Sequence, residues 1–143
     1  MFLEDIIGLM KATIIFPNNL FTDKSVLDKK NKIYLFQDPL FFKDLKYPVK
    51  FNKKKIFMHL LSMEEYYNNL ISLGYDAELV HFYKLNGPNY LEEFIKKNRL
   101  SNLNIFEIVD FELRKRFISA TENSNVGINW LKNSITEAKK WAN

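Results

Sequence analysis

The chain has 143 residues, 47% of them hydrophobic and 27% charged, with four Gly, four Pro and no Cys. That balance fits one ordinary globular domain burying roughly two-thirds of its unfolded surface, with thirteen Phe, seven Tyr and two Trp to fill a core. Without Cys the chain can form no disulfide, thiolate zinc site, cysteine-ligated cluster or cysteine nucleophile of its own. The net charge is +4, and eighteen of twenty-one basic residues are Lys, which predicts weak, salt-sensitive attraction to nucleic acid at most. No run approaches the ~20 apolar residues that span a bilayer. The first ten residues carry two acids and no basic start, unlike a secretory signal, so a cytoplasmic protein without membrane contact is expected.

Residues up to Met10 read as a short helix. The apolar run 11–16 closes at Pro17-Asn18-Asn19, predicting a buried strand and a turn. Residues 32–36 are β-branched and aromatic and end at Gln37-Asp38-Pro39, predicting a second strand. A basic segment, 43–55, has six Lys against one Asp. Over 52–73, Ile56, Leu60, Met63, Tyr67, Leu70 and Ile71 recur at three- and four-residue spacing, which predicts a long helix closed by Gly74. Strands follow at 77–83 and 104–109, with a helix at 90–97 between them presenting Leu91, Phe94 and Ile95. A helix at 111–120, a fifth strand at 126–130 and a last helix at 134–141, opened by Ser134 with Glu137 three residues on, complete the chain.

Strands alternating with helices at this spacing predict an open, doubly wound α/β domain, Rossmann-like or flavodoxin-like, with about five parallel strands and helices on both faces. Ligands of such sheets sit beyond the carboxyl ends of the strands, where strand order reverses. The loops after Phe16, Phe36, Tyr83 and Val109 are therefore the place to look.

With Gly only at 8, 74, 87 and 127, neither a dinucleotide fingerprint nor a Walker loop can be written. His59 and His81 have no second His or Cys at metal-ligand spacing, so no metal site is expected and both read first as structural. Glu64-Glu65 and Glu92-Glu93 are helix neighbours about 100° apart, which makes a solvated face. Asp38 follows a buried strand at the predicted crevice, where a ligand contact and an Asp-Pro turn both account for it. Lys53-Lys54-Lys55 opens the long helix against its dipole, either as a solvated basic face or as an anion contact. No nucleophile elbow and no acid, base and nucleophile group emerge. The residues by themselves support binding more than catalysis.

The order of segments resembles the N-terminal domain of deoxyribodipyrimidine photolyase-related proteins, the prokaryotic branch of the cryptochrome/photolyase superfamily that carries an iron–sulfur cluster. The matching stretches are Ile14-Ile-Phe-Pro-Asn-Asn-Leu20, Ile33-Tyr-Leu-Phe-Gln-Asp-Pro-Leu-Phe-Phe42, Tyr47, Phe51-Asn-Lys-Lys-Lys-Ile-Phe-Met-His-Leu-Leu-Ser-Met63, Tyr66-Tyr67 to Leu73-Gly-Tyr75, and Val109-Asp-Phe-Glu-Leu-Arg114. Family members more often read Glu-Asp at the Gln37-Asp38 pair and His-Lys at the Asn52-Lys53 pair. The resemblance implies a crevice for a light-harvesting antenna chromophore of the ribityl-lumazine or flavin-like kind. Its loops would be Asn18, Asn19 and Leu20, then Gln37 and Asp38, with Lys54, Lys55 and His59 at the start of the long helix and Phe41 placed to stack on a ring. It also implies that FAD, the cluster cysteines and the DNA-repair surface belong to a helical portion absent here. The chain is then a non-catalytic domain that binds a chromophore or docks with a helical flavin-binding partner. The alternatives are a small interaction or regulatory domain with an empty crevice, and an enzyme acting on a nucleotide-like ligand.

Overall fold

The computed structural model describes residues 10–20, 24–42 and 53–132. Five strands, β1 (Met10–Ile15), β2 (Lys32–Phe36), β3 (Ala77–Val80), β4 (Leu100–Phe106) and β5 (Gly127–Leu131), form one sheet in the order β3-β2-β1-β4-β5. Every pairing is parallel, so each connection must cross over and bring a helix or loop onto a face. The helices are α1 (Pro39–Phe42), α2 (Lys53–Ser72), α3 (Tyr90–Lys97) and α4 (Phe111–Asn123). This is the open α/β architecture that the alternation predicts.

The pleat sorts β1 between two cores. Ala12, Ile14 and Phe16 join Leu91, Phe94, Leu113 and Phe117 of α3 and α4 on one face. Ile15 joins Met63, Tyr66 and Leu70 of α2 on the other. Because β1 and β2 are covered on both faces they read as continuous apolar runs, which is why the sequence located them closely.

α2 ends at a Schellman motif: Tyr75 N–H donates to Leu70 O (3.0 Å) and Gly74 N–H to Ile71 O (3.1 Å), with Gly74 at φ +88°. That left-handed conformation is the reason for glycine there. At α4, the Asp110 carboxylate accepts from Leu113 N–H at 2.9 Å and caps the helix.

Three expectations need correction. The third strand stops at Val80 instead of Tyr83, because Phe82–Lys84 turns into a 3-10 helix. The fourth strand begins at Leu100, immediately after Arg99 at φ 53°, and ends at Phe106 instead of Val109. Ser101 and Asn102 hid its start, since they break the apolar run of a strand that buries Leu100, Leu103 and Ile105. The helix expected to end at Ala120 runs to Asn123. The helices expected before Met10 and over 134–141 lie outside the described residues.

Candidate functional site

Strand order reverses between β1 and β4, so the crevice of this sheet opens between the loop after β1 and the loop after β4. The loop after β1 is a 3-10 turn, Pro17–Asn19, closed by Asn19 N–H donating to Phe16 O at 2.9 Å. Asn19 is only 6% exposed, and its buried side-chain oxygen accepts no hydrogen bond among the described residues. Asn18 and Leu20 on the same turn are half-buried. Across the crevice, the turn from β4 into α4 carries Val109 and Phe111, 78% and 80% exposed. Such exposure is unusual for side chains that gain about 1.5–3 kcal/mol on burial. The loop after Val109 was expected at the crevice, but the exposure of Val109 and Phe111 was not foreseen, since an apolar residue beside a helix cap looks in sequence like a core residue.

The loop after β2 is engaged inside the protein. The Gln37 side-chain oxygen accepts from Phe82 N–H at 3.2 Å, while the Gln37 backbone N–H donates to Val80 O at 2.9 Å. Gln37 thereby locks the end of β2 to the turn after β3. Asp38 is fully buried; its Oδ1 accepts from Leu40 N–H at 3.0 Å and from the Tyr90 hydroxyl at 2.8 Å. The first bond is the Asx turn that Asp-Pro predicts. The second is a tertiary contact that the sequence did not signal, because Tyr90 lies 52 positions away. Arg116 extends the chain of contacts, its Nη1 donating to the Tyr90 oxygen at 3.3 Å and its Nε to Glu112 Oε1 at 2.9 Å. Burial, and next to it the Asp38 carboxylate, push the Tyr90 phenol well above its ordinary range, so Tyr90 stays a neutral donor.

Phe41 and His59 meet at a third place. The His59 ring sits edge-on to Phe41 and Phe42, with centroids 6.0 and 6.1 Å away. Its buried Nε2 has no hydrogen-bond partner among the described residues. Burial first, and the Lys55 charge second, hold its pKa below the usual value, which keeps the imidazole neutral. Lys54 and Lys55 are exposed on the first turn of α2. The structure thus groups Asn18, Asn19 and Leu20 at the switch point, sets Gln37 and Asp38 into the frame, and pairs Phe41 with His59 of α2. A separate groove of about 620 Å³ runs along the sheet edge, between β3, the turn after it and α3, lined by Glu78, His81, Lys84, Tyr90, Glu93 and Lys97.

Among the described residues no group of His, Asp or Glu is arranged to hold a metal ion, and no helix is long and apolar enough to cross a membrane. A family model described as deoxyribodipyrimidine photo-lyase-related protein matches residues 13–142. The chain belongs to this photolyase-related family. It is also 32% identical over 122 residues to an uncharacterized protein of Acanthamoeba polyphaga mimivirus, an alignment covering 82% of this chain and 61% of that relative. The photolyase-related domain therefore spans less than two-thirds of the relative's length. The family match includes both sides of the crevice, from the turn at Asn19 to the turn at Val109.

Proposed function

We propose that this photolyase-related domain, non-catalytic by itself, binds an antenna-type chromophore of the ribityl-lumazine or flavin-like class at the carboxyl edge of its sheet. In this reading it acts with a helical flavin-binding partner in light-dependent DNA repair or light sensing. The observation that carries the reading is Asn19. A buried acceptor left without a donor costs about 1–3 kcal/mol, and here it stands at the switch point with Asn18 beside it. A ring N–H or ribityl hydroxyl would complete that oxygen, and Val109 and Phe111 offer apolar surface to a ring system. When bound, such a group supplies absorption in the near ultraviolet or blue. The chain's own residues do no more than hold and orient it.

Gln37 and Asp38 favour a second reading, an α/β interaction domain with no cofactor. The Gln37 oxygen is taken by Phe82 N–H and Asp38 Oδ1 by Leu40 N–H and the Tyr90 hydroxyl, so these two acceptors are engaged within the fold and need no ligand.

Fluorescence titration with 6,7-dimethyl-8-ribityllumazine and with FMN separates the two. Saturable binding, weakened roughly 2- to 12-fold in Asn19→Leu by loss of one neutral hydrogen bond, supports the chromophore reading. Absence of binding, or equal affinity in both proteins, overturns it in favour of the cofactor-free domain. On either reading the isolated chain leaves pyrimidine photoproducts intact under illumination.

A further inference from the structure

The outward side of α2 carries a pattern that neither the sheet nor the crevice uses. Phe57, Met58 and Leu61 are 59%, 54% and 45% exposed, on the helix whose opposite side buries Met63, Tyr66 and Leu70. At about 100° per residue, Lys54, Phe57, Leu61 and Glu65 fall within an arc of roughly 80° centred opposite those three core residues. Along that arc the order is basic, apolar, acidic: Lys54 one turn before Phe57, then Leu61, then Glu65 one turn after.

We propose that this face is a self-association surface whose occupant is α2 of a second copy of the chain, packed antiparallel about a two-fold axis level with residues 59–60. The argument is symmetry. An isologous interface must be complementary to itself, and a sequence that runs basic–apolar–acidic along one helix face meets that condition only when the second helix runs the other way. The axis then sets Lys54 against Glu65 of the second copy, and the reverse at the other end, while Met58 meets Leu61 of the second copy at the centre. A parallel arrangement would oppose like charges at each end and is disfavoured. One helix face with three apolar side chains per copy is small beside stable interfaces, so the dimer is a weak one that forms at high protein concentration.

Sedimentation equilibrium of the full 143-residue chain over a wide concentration range tests this, with circular dichroism confirming that each variant is folded. Wild-type chain should show a monomer–dimer equilibrium. Leu61→Glu should abolish it, and Lys54→Glu or Glu65→Lys should each weaken it about ten-fold, because every substitution acts at both ends of the axis. The double variant Lys54→Glu with Glu65→Lys restores the dimer, as does mixing the two single variants. A wild-type chain that remains monomeric throughout overturns the proposal. So does a dimer indifferent to Leu61→Glu, which would use another surface, and so does a double variant that associates no better than the singles.

Discussion

The hydroxyl of Tyr90 lies 2.8 Å from Asp38 Oδ1, joining the first residue of α3 to the loop that leaves β2. This bond makes Asp38 part of the frame that holds α3 against the sheet. Tyr90→Phe should preserve the ring's stacking on Phe36, centroids 6.5 Å apart, and remove only the oxygen. A buried carboxylate then loses a donor and Arg116 loses an acceptor, so urea denaturation should show a loss of about 1–3 kcal/mol. An unchanged midpoint would show that water replaces the hydroxyl.

Asp38→Ala removes more, since Leu40 N–H also loses its acceptor. It should cost at least as much as Tyr90→Phe, whereas Asp38→Asn keeps a side-chain oxygen and should cost less. Loss of ligand affinity in Asp38→Ala is for that reason a poor test of ligand contact at Asp38. Measuring both variants by denaturation before any titration distinguishes the two effects.

What the sequence disclosed follows from how local each signal is. β1, β2 and α3 were legible because burial on both faces, or a clear 3.6-residue stripe, stamps a pattern on consecutive residues. The start of β4 was missed because Ser101 and Asn102 interrupt the apolar pattern between Leu100 and Leu103, so the expected strand began only at Asn104. That residue belongs to a ladder of amides on one side of the sheet, Asn129 Nδ2 donating to Asn104 Oδ1 at 2.9 Å and Asn104 Nδ2 reaching Thr13 Oγ1 at 3.5 Å. The crevice residues on the turn after β1 were legible through the strand-end rule and the family resemblance. The internal bonding of Gln37 and Asp38 was not, because their partners Phe82 and Tyr90 are 45 and 52 positions away.

Gly74 offers a backbone test. Its φ of +88° is one that L side chains rarely adopt, and the nearest atom to an added Cβ is the end of Lys29, at an ordinary 3.8 Å. Gly74→Ala should therefore cost about 1–2 kcal/mol from backbone strain alone, with no steric contribution. A loss of stability that Lys29→Ala relieves would show instead that space, not backbone conformation, is limiting.

In Asn19→Leu the stability change should have the opposite sign to the usual core substitution. Leu is close to Asn in shape and removes a buried oxygen that makes no hydrogen bond. Replacing such an unsatisfied group is neutral or stabilising, so the ligand-free variant should melt at or above the wild-type temperature. A clear destabilisation would mean that the Asn19 carboxamide is solvated or bonded in solution.

His59 links stability to pH. Its pKa in the folded protein lies below the ordinary value of 6.5 because burial, and then Lys55, disfavour the imidazolium. The unfolded chain therefore binds the proton more readily. Stability from this group is fully present above the unfolded pKa and is lost as pH falls below it, down to the depressed folded pKa, where the loss levels off. Thermal melts at pH 7.5 and pH 5.5 should show wild-type protein losing more stability over that interval than His59→Gln, whose amide does not titrate in that range. Other groups titrate equally in both proteins, so the difference between the two pH responses isolates His59. Identical responses would mean that His59 is as readily protonated in the folded chain as in the unfolded one, and that its ring is open to water beside Phe41 and Phe42.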